Sequence, residues 1–156
     1  MKFIVHTDGG SRGNPGKAAI GVVIEKSQIL NPNDQSKTEL VTEFGKRIGE
    51  TTNNVAEYCA VLEGLHNIKN QSVNRRTKIK DNDQTDIMIQ CYLDSLLVVQ
   101  QLNGVFKIRD ARLRELFFSI KSLEQEIGAS ITYTHVPREE NTRADALVNR
   151  ALDGLM

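Results

Sequence analysis

The ten residues Thr7–Gly16, TDGGSRGNPG, contain one acid, four glycines and a proline, and they follow closely on the apolar run Phe3-Ile4-Val5. A run that is apolar on both faces reads as a central strand, here Lys2 to Asp8. It stops abruptly on an aspartate. Glycine, asparagine and proline supply the backbone conformations of tight turns, and aspartate accepts hydrogen bonds from nearby backbone. That reading explains the glycines but leaves open why a carboxylate stands where a buried strand ends. The carboxyl ends of strands in open α/β sheets are where ligands gather, so the meaning of Asp8 depends on what else the chain brings there.

Working outward, Ala19 to Lys26 and Thr38 to Ile48 read as two further strands, joined by the polar stretch Ser27 to Lys37 with its turn signal Asn31-Pro32-Asn33. The three strands suggest an antiparallel meander. From Asn53 to about Ile68 the pattern turns helical, with Thr51, Thr52, Asn53 and Asn54 as candidate caps. A polar, charged linker, Asn70 to Asp86, follows; its Arg75, Arg76, Lys78 and Lys80 read as solvated loop charge. Ile87 to Asp94 is expected as a strand and Ser95 to Leu102 as a short helix. Asp110 to about Ile127 is a longer helix, with Leu113, Leu116, Phe117, Ile120, Leu123 and Ile127 on one stripe. Ala129 to His135 gives a last strand and Glu140 to about Asp153 a last helix. This order points to an α/β fold, a mixed sheet with helices on its faces.

The length of 156 residues suits one domain, 1–156, with a core that needs no staples. Twenty basic side chains balance twenty acidic ones, so no overall field draws the protein onto nucleic acid and any such binding must come from local patches. Cys59 and Cys91 lie in apolar segments without metal-ligand spacing and read as core thiols of a reducing compartment. No apolar stretch is long enough for a signal peptide or a membrane span. A cytoplasmic protein with no membrane partner is expected, and a monomer is the default.

Four acids occupy awkward places. Asp8 and Asp94 end predicted strands, although Asp94 could equally cap the helix after it. Glu57 shares a helical face with Val61, Leu65 and Ile68, and Asp145 with Val148, Leu152 and Leu155, so both carboxylates point to the core side. Simpler duties are available: a capping box with Asn54 for Glu57, and helix-dipole stabilisation or pairing with Arg143 or Arg150 for Asp145. Burying an ionised carboxylate without a partner is expensive, so something cationic should compensate. No Lys or Arg is placed to neutralise all four, whereas Mg2+ takes hard oxygen ligands, and two such ions about 3.5–4 Å apart form a clamp for phosphoryl transfer.

The order of these motifs resembles type 1 ribonuclease H from Phe3 to about Leu152. The matching pieces are TDGGSRGNPG with Asp8, TTNNVAEYCAVLEGL with Glu57, CYLDSLLVVQQLNG with Asp94 and HVPREENTRADALVNRAL with His135 and Asp145. The resemblance implies a ribonuclease H-like fold, with a five-stranded mixed sheet made of a three-strand antiparallel meander and two parallel strands, flanked by helices. It implies endonucleolytic hydrolysis of the RNA strand of RNA/DNA hybrids, leaving 5′-phosphate and 3′-hydroxyl ends. Asp8, Glu57, Asp94 and Asp145 match the carboxylates that hold two Mg2+ ions, with Mn2+ as an alternative ion. His135 matches a histidine on a flexible loop that assists proton movement or product release. Gly9 and Gly10 match positions where backbone approaches the ribose, and Asn14, Asn53 and Asn54 match contacts to the hybrid's minor groove. His6 and His66 keep structural or solvated readings.

The chain also departs from that pattern. Leu96 stands where many relatives carry a polar residue, often glutamine, and the segment between Asp94 and His135 has no tryptophan-rich, lysine-rich protrusion. LNGVFKIRDARLREL instead resembles the short archaeal and bacterial form, with Lys107, Arg109, Arg112 and Arg114 available for part of the grip. A hybrid-binding module with little catalysis is the main alternative. It fits poorly with four acids gathered where phosphates must lie. A junction nuclease or transposase of the same fold is a third reading, and the D, E, D, D order with GNPG and TNN fits it less well.

Overall fold

Three antiparallel strands and two parallel ones form one sheet in the computed structural model of this chain, which describes residues 1–28, 37–76 and 87–155. In chain order the elements are β1 (Lys2–Gly13), β2 (Gly16–Gln28), β3 (Lys37–Thr51), α1 (Asn53–Arg76), β4 (Met88–Leu93), α2 (Leu96–Leu102), α3 (Ala111–Ile127), β5 (Ser130–His135) and α4 (Thr142–Leu152). A 3-10 turn, Arg138–Glu140, precedes α4. The strand order is β3-β2-β1-β4-β5, with β1, β2 and β3 antiparallel and β1, β4 and β5 parallel. This is the mixed five-stranded sheet expected, with β1 at its centre.

Alternation along β1 divides the molecule. Phe3, Val5 and Thr7 are buried on the face that meets α1, where they join Val22 and Ile24 of β2, Ile89, Cys91 and Leu93 of β4, and the stripe Tyr58, Val61, Leu65 and Ile68. The stripe read for α3 holds as well: Leu113, Ile120, Leu123 and Ile127 are buried in the same core. The Asp110 carboxylate caps α3 by accepting the Leu113 N–H at 3.0 Å. On the other face α4 lays Ala144, Leu147, Val148 and Ala151 against Ala19 and Val23 of β2. Gly21 makes that approach possible, because a Cβ there would overlap the Ala144 carbonyl. Leu155, read as part of the inner stripe, lies beyond the end of α4 and is exposed.

Two boundaries differ most from the sequence reading, each for a local reason, while the others shift by up to three residues. β1 does not stop at Asp8. It runs on through Gly9 and Gly10 to Gly13, paired with β2 as far as Gly13↔Gly16, so the turn shrinks to Asn14-Pro15. The feature that ends at Asp8 is the partnership with β4, whose last pair with β1 is His6↔Tyr92. Second, α1 continues past Ile68 to Arg76, taking in the first part of the expected linker. The residues Asn70 to Arg76 lack an apolar stripe but contain no Gly or Pro to stop a helix. The Asn31-Pro32-Asn33 signal, the rest of the linker and Lys78 and Lys80 lie outside the described residues.

Candidate active site

The strand that carries Asp8 outruns β4, and the space where they part is closed by the first turn of α1. Asp8 sits on the α4 side of β1, and Asp94 follows the last residue of β4. Glu57 arrives from α1, whose backbone at Ala56 and Glu57 packs so closely on Gly9 that any Cβ there would overlap it. Asp8, Glu57 and Asp94 each bring one carboxylate oxygen to within 4.8 Å of the others. Asp145, half-buried on the first turns of α4, stands beside Asp8 and acts on it through charge and hydrogen bonding, outside the tight group of three.

Most of the simpler duties of these acids go to other residues, although Asp145 does stand in the first turn of α4, where it suits the helix dipole. Ser95, not Asp94, caps α2, its Oγ accepting the Val98 N–H at 3.3 Å. Thr52, not Asn54, caps α1: its Oγ1 accepts the Val55 N–H at 3.3 Å and its carbonyl accepts the Ala56 N–H. No capping box therefore engages Glu57. Arg143 pairs with Glu43 at 2.7 Å, and Asp145 meets instead the largely exposed Arg138 at 3.7 Å. That distant, solvated contact provides little neutralisation.

The electrostatic consequence is severe. Asp8 and Glu57 are 7% and 6% exposed, nearly buried for charged groups. Burial, then the charge of Asp94, pushes the Asp8 carboxyl up to about 7, with Glu57 hydrogen bonding opposing and Asp145 adding to the rise. Burial, then Asp8 and Asp94, pushes the Glu57 carboxyl well above the carboxylate range, although the Gly9 N–H favours its charge. The buried Glu57 Oε2 has no hydrogen-bond partner among the described residues. Hard oxygen donors crowded together, one of them orphaned and with no ion-pair partner among the described residues, suit a divalent ion such as Mg2+.

His135 is the last residue of β5, exposed and paired across the parallel ladder with Leu93, the neighbour of Asp94. It therefore occupies the strand end that the reading of Ala129 to His135 gave it, whereas the resemblance implied a flexible loop. Asn14 and Asn53 are brought together: the Asn14 Oδ1 accepts the Asn53 N–H at 3.1 Å, and the Asn53 Oδ1 accepts the Ser11 N–H at 2.8 Å. These bonds tie the β1–β2 turn to the start of α1, on which Asn54 is half-buried. Gly10 leaves only ordinary room for a side chain, whereas the bareness of Gly9 serves the α1 packing just described. Leu96 is 51% exposed on the first turn of α2. His6 stacks on Tyr92 with ring centroids 5.2 Å apart, and burial pushes its pKa down.

Sequence reasoning passed over Asn141. It is 1% exposed, and its Nδ2 donates to the Thr7 carbonyl at 2.9 Å and to Asp94 Oδ2 at 3.5 Å. It lies at the start of the expected helix Glu140 to about Asp153, one residue before α4 begins, where an asparagine reads as an ordinary cap. Tyr58 and Gln101, a buried pair joined at 2.7 Å, likewise brace α1 against α2.

This fold, with carboxylates meeting where β1 and β4 separate, matches the family profile described as Reverse transcriptase-like over residues 6–151. RNase H1 from the halophilic archaeon Halobacterium salinarum superposes with a TM-score of 0.77 at 34% identity, covering 99% of both chains. LC11-RNase H1, solved in complex with RNA/DNA hybrid, gives 0.76 at 37% identity over 98% of both chains. A bifunctional protein of Mycobacterium tuberculosis is 35% identical over 156 residues, which are 98% of this chain and 36% of that protein. The chain thus spans about a third of that longer relative. It belongs to the type 1 ribonuclease H family.

Proposed function

We propose that this chain is one ribonuclease H domain that hydrolyses the RNA strand of RNA/DNA hybrids endonucleolytically, leaving 5′-phosphate and 3′-hydroxyl ends. The observation that carries this is the convergence of Asp8, Glu57 and Asp94, with Asp145 beside them, in a fold that a relative uses while holding an RNA/DNA hybrid. Four acids gathered where a phosphodiester must lie would repel it unless they hold cations. Asp8, Glu57, Asp94 and Asp145 would hold two Mg2+ ions. When bound, these supply Lewis acidity to the attacking water and charge stabilisation to the departing 3′-oxygen.

The protein's own groups then do the positioning. β1, hydrogen-bonded on both sides at Asp8's approach, fixes that carboxylate, while the close seat of α1 on Gly9 fixes Glu57. His135, exposed at the rim one strand away from Asp94, takes up or returns a proton on its ring nitrogen as product leaves. Asn14 and Asn53 use their carbonyl oxygens inside the protein. Their NH2 groups are left to donate to minor-groove acceptors, and with Asn54 and the backbone of Gly9 and Gly10 they would sense the 2′-hydroxyls that mark RNA. We further read the chain as monomeric and cytoplasmic. Its cysteines are free, and no helix among the described residues is long and apolar enough to cross a membrane.

The test is cleavage of an end-labelled RNA/DNA hybrid with Mg2+, beside matched single strands and duplexes, with EDTA and Asp94→Asn as controls. Internal cuts in the hybrid's RNA strand that vanish in both controls support the proposal. Tight hybrid binding without cutting would instead make the chain a binding module, with Leu96 and the absent basic protrusion as the first places to seek the cause.

A further inference from the structure

Asn141 stands at the position immediately before α4, where an asparagine ordinarily turns its Oδ1 back to accept a helix N–H. Here it makes no such cap bond. The amide is turned away from the helix, so that Nδ2 donates to the Thr7 carbonyl at 2.9 Å and reaches Asp94 Oδ2 at 3.5 Å. Its Oδ1, fully buried, has no hydrogen-bond partner among the described residues. Flipping the amide would set Oδ1 against a carbonyl and a carboxylate, two acceptors, so the network dictates the orientation. The residue thus gives up a helix cap and leaves a buried acceptor unserved, and it gains two donor contacts to the carboxylate site. Such sacrifices of local stability mark functional sites.

The same residue touches three of the four acids' supports. Thr7 is the neighbour of Asp8, Asp94 is met directly, and the Asn141 carbonyl accepts the Asp145 N–H at 3.1 Å. We propose that Asn141 is a positioning residue that sets the spacing of Asp8, Asp94 and Asp145 and thereby the affinity of the site for divalent cations. This rests on the reading of the cluster as a metal centre. Groups that hold metal-ligating carboxylates in place typically change metal affinity by about 10- to 100-fold when removed. An amide donor to a carboxylate is a contact of that kind.

The experiment is calorimetric titration of MgCl2 into the folded protein without hybrid, comparing wild type with Asn141→Ala and with Asn141→Ser, together with kcat and KM on a hybrid. Melting curves in EDTA confirm that each variant is folded; the serine keeps a small polar group should the alanine variant fail. The expected result is Mg2+ affinity reduced on the order of tenfold or more, with kcat falling at saturating hybrid and KM for the hybrid little changed. A folded variant that binds Mg2+ as wild type does would overturn the positioning role while leaving the metal centre intact. A wild-type protein that takes up no Mg2+ would remove the metal-centre reading itself, and this is seen in the same titration before any variant is compared.

Discussion

Replacing Asp8 by asparagine should stabilise the metal-free protein at alkaline pH, although Asp8 is essential to the proposed activity. Its carboxyl is pushed from an ordinary 3.8 to about 7 in the folded state. Because the folded pKa lies above the unfolded one, the native state holds the proton more tightly between those values. Stability therefore falls as pH rises through that window, and the full penalty is present above about 7. A rise of roughly three units at about 1.4 kcal/mol each sets a ceiling of about 4 kcal/mol. Asparagine relieves the charge but keeps only part of the hydrogen bonding to Glu57, so about 2 kcal/mol is expected. For a domain of this size that is roughly 4–8 °C in Tm. The assay is thermal melting in EDTA at pH 8 and at pH 4, then at pH 8 with MgCl2. Asp8→Asn should melt higher than wild type in EDTA at pH 8 and close to it at pH 4. With MgCl2 the order should narrow or reverse, since only wild type retains the full ligand set and gains from binding. If Asp8→Asn melts at or below wild type in EDTA at pH 8, the claim that these buried carboxylates repel one another is wrong.

Gly9→Ala places a methyl group into the backbone of Ala56 and Glu57; it should cost about 3 kcal/mol in urea unfolding and lose cleavage by displacing Glu57, and a fully active, equally stable variant would contradict the close seat of α1. His135→Ala, at an exposed position, should leave melting unchanged and slow hybrid cleavage by on the order of 100-fold without stopping it; an inert enzyme would mean that this histidine does more than carry a proton. Tyr58→Phe strands the Gln101 Oε1 in the core and should lower stability by about 1–3 kcal/mol, whereas adding Gln101→Leu should recover part of that loss in the same urea titration.

The apolar patterns foretold most of the architecture because burial and periodicity are local signals. The stripe from Leu113 to Ile127 and the two-faced run Phe3-Ile4-Val5 each led to the right element in the right layer. Boundaries failed where composition and context disagree. Gly9 and Gly10 looked like the start of a turn, yet they continue β1 because β2 supplies a hydrogen-bonding partner along the whole stretch. Asn70 to Arg76 looked like linker, yet nothing in it halts a helix already under way. The carboxylates were legible because an acid on an apolar face is conspicuous, as Glu57 is beside Val61 and Leu65. Asn141 was not, since its partners, Thr7 and Asp94, are distant in the chain and only the packing of α4 against the sheet brings them together.

That the four acids come from four separate elements, on β1, on α1, after β4 and on α4, ties chemistry to the completion of folding. A nascent chain that has reached only the end of α3 carries three of them, but it lacks Asn141 and Asp145 and the layer that covers Gly21. Misfolded or truncated species would likewise scatter the set, because no two of these acids belong to the same element. Under the proposed activity, a cutting centre that exists only once all four elements are assembled guards nucleic acid against cleavage while the domain is still being made, and loss of the proposed metal binding would report incomplete folding from any quarter of the sheet.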